Sequence, residues 1–192
     1  MYFNIKRLSF LIFLLPCLTV TISYLISLYL NFVPLCFPFL DGCTSISRSG
    51  RYFPVNIFFK LFLFIYGFFI IFYLYKNHIF FKFINKNLII NFFLIFGLIS
   101  VLFLFLYLTF LGENSYYKFF RKIGIFVYIL FSVISELLLS VNYYQNLSND
   151  LFNSLFVKSK LFLSISMILV GLILLPFMII KIDNVSNIRN AI

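Results

Sequence analysis

The feature that most constrains this chain is the stretch from Leu8 to Leu30, which holds no charged residue at all. Wound as a helix at ~1.5 Å per residue it is about 34 Å long, enough to cross a hydrocarbon core of ~30 Å. In lipid a spanning segment must satisfy its backbone hydrogen bonds internally, and a helix does so without help from neighbours. Similar runs recur at about 55–75, 88–111, 123–141 and 161–180. The expectation is an all-α, polytopic transmembrane bundle of five spans, forming a single integral membrane domain over 1–192. With 64% hydrophobic and only 10% charged residues, the chain lacks the charged surface that a soluble domain of this size needs.

The net charge of +10 raises the question of nucleic acid. The basic residues do not cluster as such binding requires. Lys6, Arg7, Lys76, Lys82, Lys122 and Lys160 sit at the ends of apolar runs, where long cationic side chains reach lipid phosphates. Membrane lipids are therefore the expected partners, with no nucleic acid. A second copy of the chain or another membrane protein is a further partner to expect. Cations are evenly divided between the two sides, so the positive-inside rule does not fix orientation. The purely basic connection with Lys76, His78, Lys82 and Lys86 favours a cytoplasmic amino terminus.

The first span carries Pro16, expected to kink it, and Thr19, Ser23 and Ser27 at intervals of four. That spacing makes one stripe of small hydroxyl residues, against which another helix can pack closely. Cys17 lies within the same run and reads as packing. Cys36 and Cys43 flank the following loop and form a disulfide only if that side is oxidising. Lys60 lies just inside the second span, placed to reach the near surface. An Asn- and Ser-rich connection from Asn142 to Lys160 contains a helical apolar pattern at 146–158 behind Ser148, read as a helix lying in the interface.

Polar chemistry concentrates in two places. The first is the loop at 34–54, which contains Asp41, Gly42, Ser45, Ser47, Arg48, Gly50 and Arg51. Arginine binds phosphate bidentately, serines add donors, and the glycines let the backbone fold around an anion, so Asp41, Ser45, Ser47, Arg48 and Arg51 form a candidate headgroup or anion site. The alternative is a plain connection whose arginines snorkel. The second place is the fourth span, where Tyr128, Ser132 and Glu136 share a polar stripe with Ser135, Ser140 and Tyr143. An intramembrane carboxylate is costly and by default functional. Ser100, Ser164 or a water-filled pocket are its expected partners, and the alternative is a protonated Glu136 that holds helices together. No metal-ligand spacing, phosphate-binding glycine loop, nucleophile elbow or other catalytic set occurs, so no catalytic residue, metal or cofactor is assigned.

An initial helix, a loop with Pro38, Asp41, Gly42, Ser45, Ser47, Gly50 and Pro54, and a run of further helices resembles the Frag/DRAM/Sfk family. That family includes autophagy modulators and GPI-anchor lipid-remodelling proteins related to the CWH amino-terminal domain. The resemblance implies six helices, a cytosolic amino terminus, a first loop across the membrane, and a role in lipid handling without an identified catalytic residue. Leu40 departs from the pattern, standing where a hydroxyl residue is expected. The sixth helix is expected beyond Ile192. Two other functions stay open: a small transporter or permease using Glu136, and a membrane-embedded lipid-modifying enzyme.

Overall fold

The structure is a computed structural model and describes residues 2–35, 46–84, 88–112, 117–146 and 154–170. Among these residues there are helices and connecting turns and no strand. The long helices are α1 (Tyr2–Tyr29), α3 (Val55–Ile84), α4 (Leu88–Phe110) and α5 (Lys118–Gln145), with the single turn α2 (Ile46–Ser49) between the first two. Residues 154–170 are also helical. Among the described residues, four segments are long and apolar enough to cross a membrane: Arg7–Tyr29, Val55–Ile84, Ile89–Phe110 and Phe119–Gln145. The protein is thus an all-α polytopic membrane protein. Residues 171–180, the second half of the run read as a fifth span, lie outside the described residues, as do Cys36 and Cys43.

The distribution of side chains is that of a protein dissolved in lipid. Phe10, Phe13, Phe68, Phe92 and Leu102 are exposed on the spans, while Thr19, Ser23, Ser27, Asn77, Ser100 and Asn142 are buried. In water such an apolar surface would drive aggregation; in hydrocarbon it is the solvated face, and the small polar residues form the contacts.

The chain forms two compact units, Met1–Ser132 and Val133–Ile192. Within the first, α1 packs on α2 and α3, and α3 packs on α4. The stripe Thr19–Ser23–Ser27 is the buried face of α1. Thr19 Oγ1 donates back to Leu15 O at 2.7 Å, and Ser27 Oγ donates across to Ser49 O at 2.5 Å, tying α1 to the end of α2. Pro16 lies inside α1 without ending it, and Cys17 is exposed on its surface. The helix ends at Tyr29, and just beyond it Asn31 takes φ 58° while Asn31 N–H donates to Leu28 O and Phe32 N–H to Ser27 O. This pair of bonds around a left-handed residue satisfies carbonyls that the helix leaves open.

Helix α3 differs from the sequence expectation. It continues past Tyr75 to Ile84, so Lys76, His78 and Lys82 are helical residues rather than part of a connection. The cause is local: Ile79-Phe80-Phe81-Lys82-Phe83-Ile84 contains no helix breaker, and Phe81 is fully buried. Antiparallel α3 and α4 are joined near one end by His78 Nε2 and Asn91 Oδ1, 3.1 Å apart. Near the middle, the Phe64 and Phe105 rings stack with centroids 5.1 Å apart. A Cβ at Gly67 would overlap the Phe105 ring, so this contact depends on glycine. Helix α5 meets α4 where Gly124 lies against the backbone of Tyr107, and it meets α3 where the Tyr66 and Tyr128 hydroxyls lie 3.2 Å apart.

In the second unit α5 runs on to Gln145, so Asn142 is helical and not the start of a connection. Asn142 and Asn146 donate to Leu138 O and Asn142 O, and both are buried. Residues 154–170 form one unbroken helix, joining the last part of the segment read as interfacial to the start of the fifth span. Ser148 lies outside the described residues.

Candidate functional site: a cationic helix end and an intramembrane ion pair

Helix α4 ends at Phe110 with its last carbonyls unbonded within the helix, as every helix does. Three side chains from neighbouring elements donate to them. Lys60 Nζ lies 3.3 Å from Thr109 O, Arg121 Nη1 3.5 Å from Phe110 O, and Asn56 Nδ2 3.4 Å from Leu111 O. A helix carboxyl terminus carries partial negative charge, so cations placed there are favourable. Lys60 therefore has a definite partner at the near surface, which the sequence placed there only as a snorkelling cation. Gly112 then turns the chain with φ 86°, a left-handed conformation that glycine adopts without penalty. A Cβ there would collide with Asn56 and come within 3.3 Å of Arg51 O, so the exit of the first loop sits against this turn.

Arg51 thereby joins the cationic group. Both Arg51 and Arg121 lie within electrostatic range of the Tyr107 hydroxyl. Arg48 and Arg51 are exposed, whereas Ser49 and Gly50 are buried, Gly50 against the Phe59 ring. The Phe32 and Tyr52 rings, 5.1 Å apart, hold the end of α1 to the loop exit. Asn56 Oδ1 is buried and has no hydrogen-bond partner among the described residues. Of the loop residues singled out in the sequence, Arg51 meets this turn through its backbone carbonyl, and Arg48 is exposed on α2. Ser47 contributes its backbone to α2, and Asp41 and Ser45 lie outside the described residues. Lys60, Asn56 and Arg121 were missed as members of the site because pairings between helices leave no mark on linear spacing.

The three intramembrane candidates do not share a site. Tyr128 pairs with Tyr66 on α3, and Ser132 Oγ donates to Ile129 O within its own helix. Glu136 Oε1 meets Lys160 Nζ at 2.8 Å, and that ammonium also lies 5.0 Å from the Tyr143 ring centroid. This corrects the expected partners. Ser100 donates to Gly97 O and Ser164 to Leu161 O, each a local bond that neutralises no charge. Glu136 lies about 14 Å along α5 from Gln145, in the outer part of the spanning segment. An ion pair with an aromatic ring over the cation lowers the cost of a charge at that depth. Glu136 is the one carboxylate side chain among the described residues, and it is engaged with Lys160.

Among the described residues no group of three His, Cys, Asp or Glu side chains could hold a metal ion. Comparison with known families, with curated proteins and with solved structures returns no match to this chain.

Proposed function

We propose that this multi-pass membrane protein engages anionic lipid headgroups on the face formed by its first loop, and acts in lipid handling rather than in catalysis. One observation carries the reading. Arg48 and Arg51 are exposed, the Arg51 carbonyl lies beside the turn that ends α4, where Lys60 and Arg121 converge, and no described carboxylate offsets them. Lys60 and Arg121 are directed at helix carbonyls, which leaves Arg48 and Arg51 as the arginines turned outward. Lipid phosphate is the anion abundant at that depth, and arginine takes it bidentately. The resemblance of the loop to the Frag/DRAM/Sfk family supports lipid handling and implies a cytoplasmic amino terminus, with the first loop across the membrane. The test is lipid retention. Protein in nanodiscs of mixed phosphatidylglycerol and phosphatidylcholine enriches the anionic lipid, and the Arg48→Gln/Arg51→Gln variant loses much of that enrichment while inserting normally. Equal enrichment in both refutes the proposal.

A second reading, a small transporter, rests on the Glu136–Lys160 pair, since a paired intramembrane carboxylate is a common element of proton and ion pathways. Glu136→Gln then abolishes uptake of the transported solute; wild-type uptake by that variant removes this reading.

A further inference from the structure

The segment that carries Arg48 and Arg51 is held from three helices at once. Ser27 Oγ on α1 donates to Ser49 O at 2.5 Å, and both residues are buried, at 0% and 1% exposure. Gly50 follows, lying on the Phe59 ring of α3. A Cβ there would stand 2.6, 2.8 and 2.9 Å from three ring carbons, and Phe59 is itself 2% exposed. The Arg51 carbonyl comes against the Gly112 turn after α4, 3.3 Å from where a Cβ of that residue would stand. The Tyr52 ring meets Phe32, just past α1, with centroids 5.1 Å apart. Two backbone bonds complete the fastening, Arg51 N–H to Arg48 O at 3.2 Å and Asn56 N–H to Tyr52 O at 2.9 Å.

These contacts engage the backbone of Ser49, Gly50 and Arg51 and the ring of Tyr52, and none of them engages a guanidinium. Arg48 and Arg51 stay exposed on a turn closed by their own backbone bond, and neither enters an ion pair among the described residues. A surface connection that only links two spans tolerates loosening. A segment fixed before its ligand arrives, by contrast, loses no ordering entropy in the binding step. Ser27 and Gly50 supply that fixing from inside the bundle.

We infer that Ser27 and Gly50 are positioning residues for the anion, holding the Arg48–Arg51 turn in its binding geometry so that affinity for an anionic lipid is set by buried contacts of α1 and α3. This rests on the reading of Arg48 and Arg51 as the headgroup-binding pair. Both positioning residues are buried and act through the arginines rather than on the lipid. The hydroxyl stripe of α1 supplies its own control. Ser23 lies one turn before Ser27 on the same face and is equally buried, but its Oγ has no hydrogen-bond partner among the described residues and therefore holds no turn in place.

The test is native mass spectrometry of the full chain in detergent with added phosphatidylglycerol or phosphatidylcholine, with the unfolding midpoint of each variant measured alongside. Loss of one buried hydrogen bond that fixes the turn lowers the binding-competent fraction about 5-fold, so Ser27→Ala binds phosphatidylglycerol about 5-fold more weakly and phosphatidylcholine as wild type does. Ser23→Ala binds both lipids as wild type. Gly50→Ala pushes the turn off the Phe59 ring and also weakens phosphatidylglycerol. In the Arg48→Gln/Arg51→Gln background Ser27→Ala has no further effect, because the arginines it positions are gone. The inference is overturned if Ser27→Ala or Gly50→Ala keeps wild-type affinity while the double arginine variant loses it, if Ser23→Ala loses as much as Ser27→Ala, or if Ser27→Ala weakens both lipids alike. A double arginine variant that itself binds as wild type overturns the headgroup reading and this inference with it, so the two failures are distinguishable.

Discussion

Replacing Gly124 tests the packing on which the cationic face depends. A Cβ built at Gly124 would lie 3.0 Å from Tyr107 Cβ and 3.1 Å from both Tyr107 Cα and Tyr107 N. Ordinary contacts between carbon atoms fall near ~3.5–4.0 Å, so α4 and α5 must separate by about half an ångström to admit one methyl group. Two of the three atoms are backbone, so no rotamer change relieves the overlap. Alanine in place of glycine favours a helix by ~1 kcal/mol, while overpacking costs ~1–3 kcal/mol. Gly124→Ala therefore falls between neutral and about 2 kcal/mol less stable. Leucine gains no more in propensity and forces three further carbons into the same seam, so Gly124→Leu loses ~2 kcal/mol or more, about 30-fold in the folded ratio. Tyr128 lies one turn along α5, and its 3.2 Å contact with Tyr66 opens when the helices part. Tyr66→Phe accordingly costs ~1 kcal/mol in the wild type and little in Gly124→Leu, a non-additivity expected of coupled neighbours. The chain has no Trp, so far-UV circular dichroism during unfolding in mixed micelles of increasing dodecyl sulfate is the suitable assay. A Gly124→Leu protein that unfolds at the wild-type midpoint refutes the contact.

Three further outcomes follow from the same geometry. Ser23 Oγ is buried with no hydrogen-bond partner among the described residues, so Ser23→Ala is neutral or slightly stabilising in the same unfolding assay, whereas Ser27→Ala, which loses the bond to Ser49, costs ~1 kcal/mol. Gly112→Ala forces a side chain into a φ of 86° and against Asn56, and lowers stability by ~1–2 kcal/mol. In a double-mutant cycle, Glu136→Gln and Lys160→Met couple by more than ~1 kcal/mol, the ceiling of a water-exposed pair, because Glu136 lies within a spanning segment; a smaller coupling places the pair in water.

The four spans were legible because each is a long apolar run with at most one charge in its middle, and a helix satisfies such a run's backbone in lipid. The buried face of α1 was legible for a similar reason, since Thr19, Ser23 and Ser27 keep the helical period. The end of α3 was not. Lys76, His78 and Lys82 carry the marks of a connection, yet the aromatic residues between them have helical contacts that only the packed structure reveals. The partner of Glu136 was also hidden, because linear spacing does not pair two residues 24 apart on different helices, and the position of Lys160 at the end of an apolar run suggested a snorkelling role. At the first loop, the arginines were visible as a cluster, but the end of α4 that gathers Lys60, Arg121 and Asn56 beside them is a product of tertiary packing.

The most direct test of the lipid-binding account is the unfolding midpoint of the purified protein in neutral detergent as phosphatidylglycerol or phosphatidylcholine is added. A ligand that binds the folded state at about 100 times its Kd stabilises by ~2.7 kcal/mol. The account predicts a saturable rise with phosphatidylglycerol, a smaller rise in Arg48→Gln/Arg51→Gln, and little effect of phosphatidylcholine. Equal shifts with both lipids, or an arginine variant that responds as the wild type does, would contradict it.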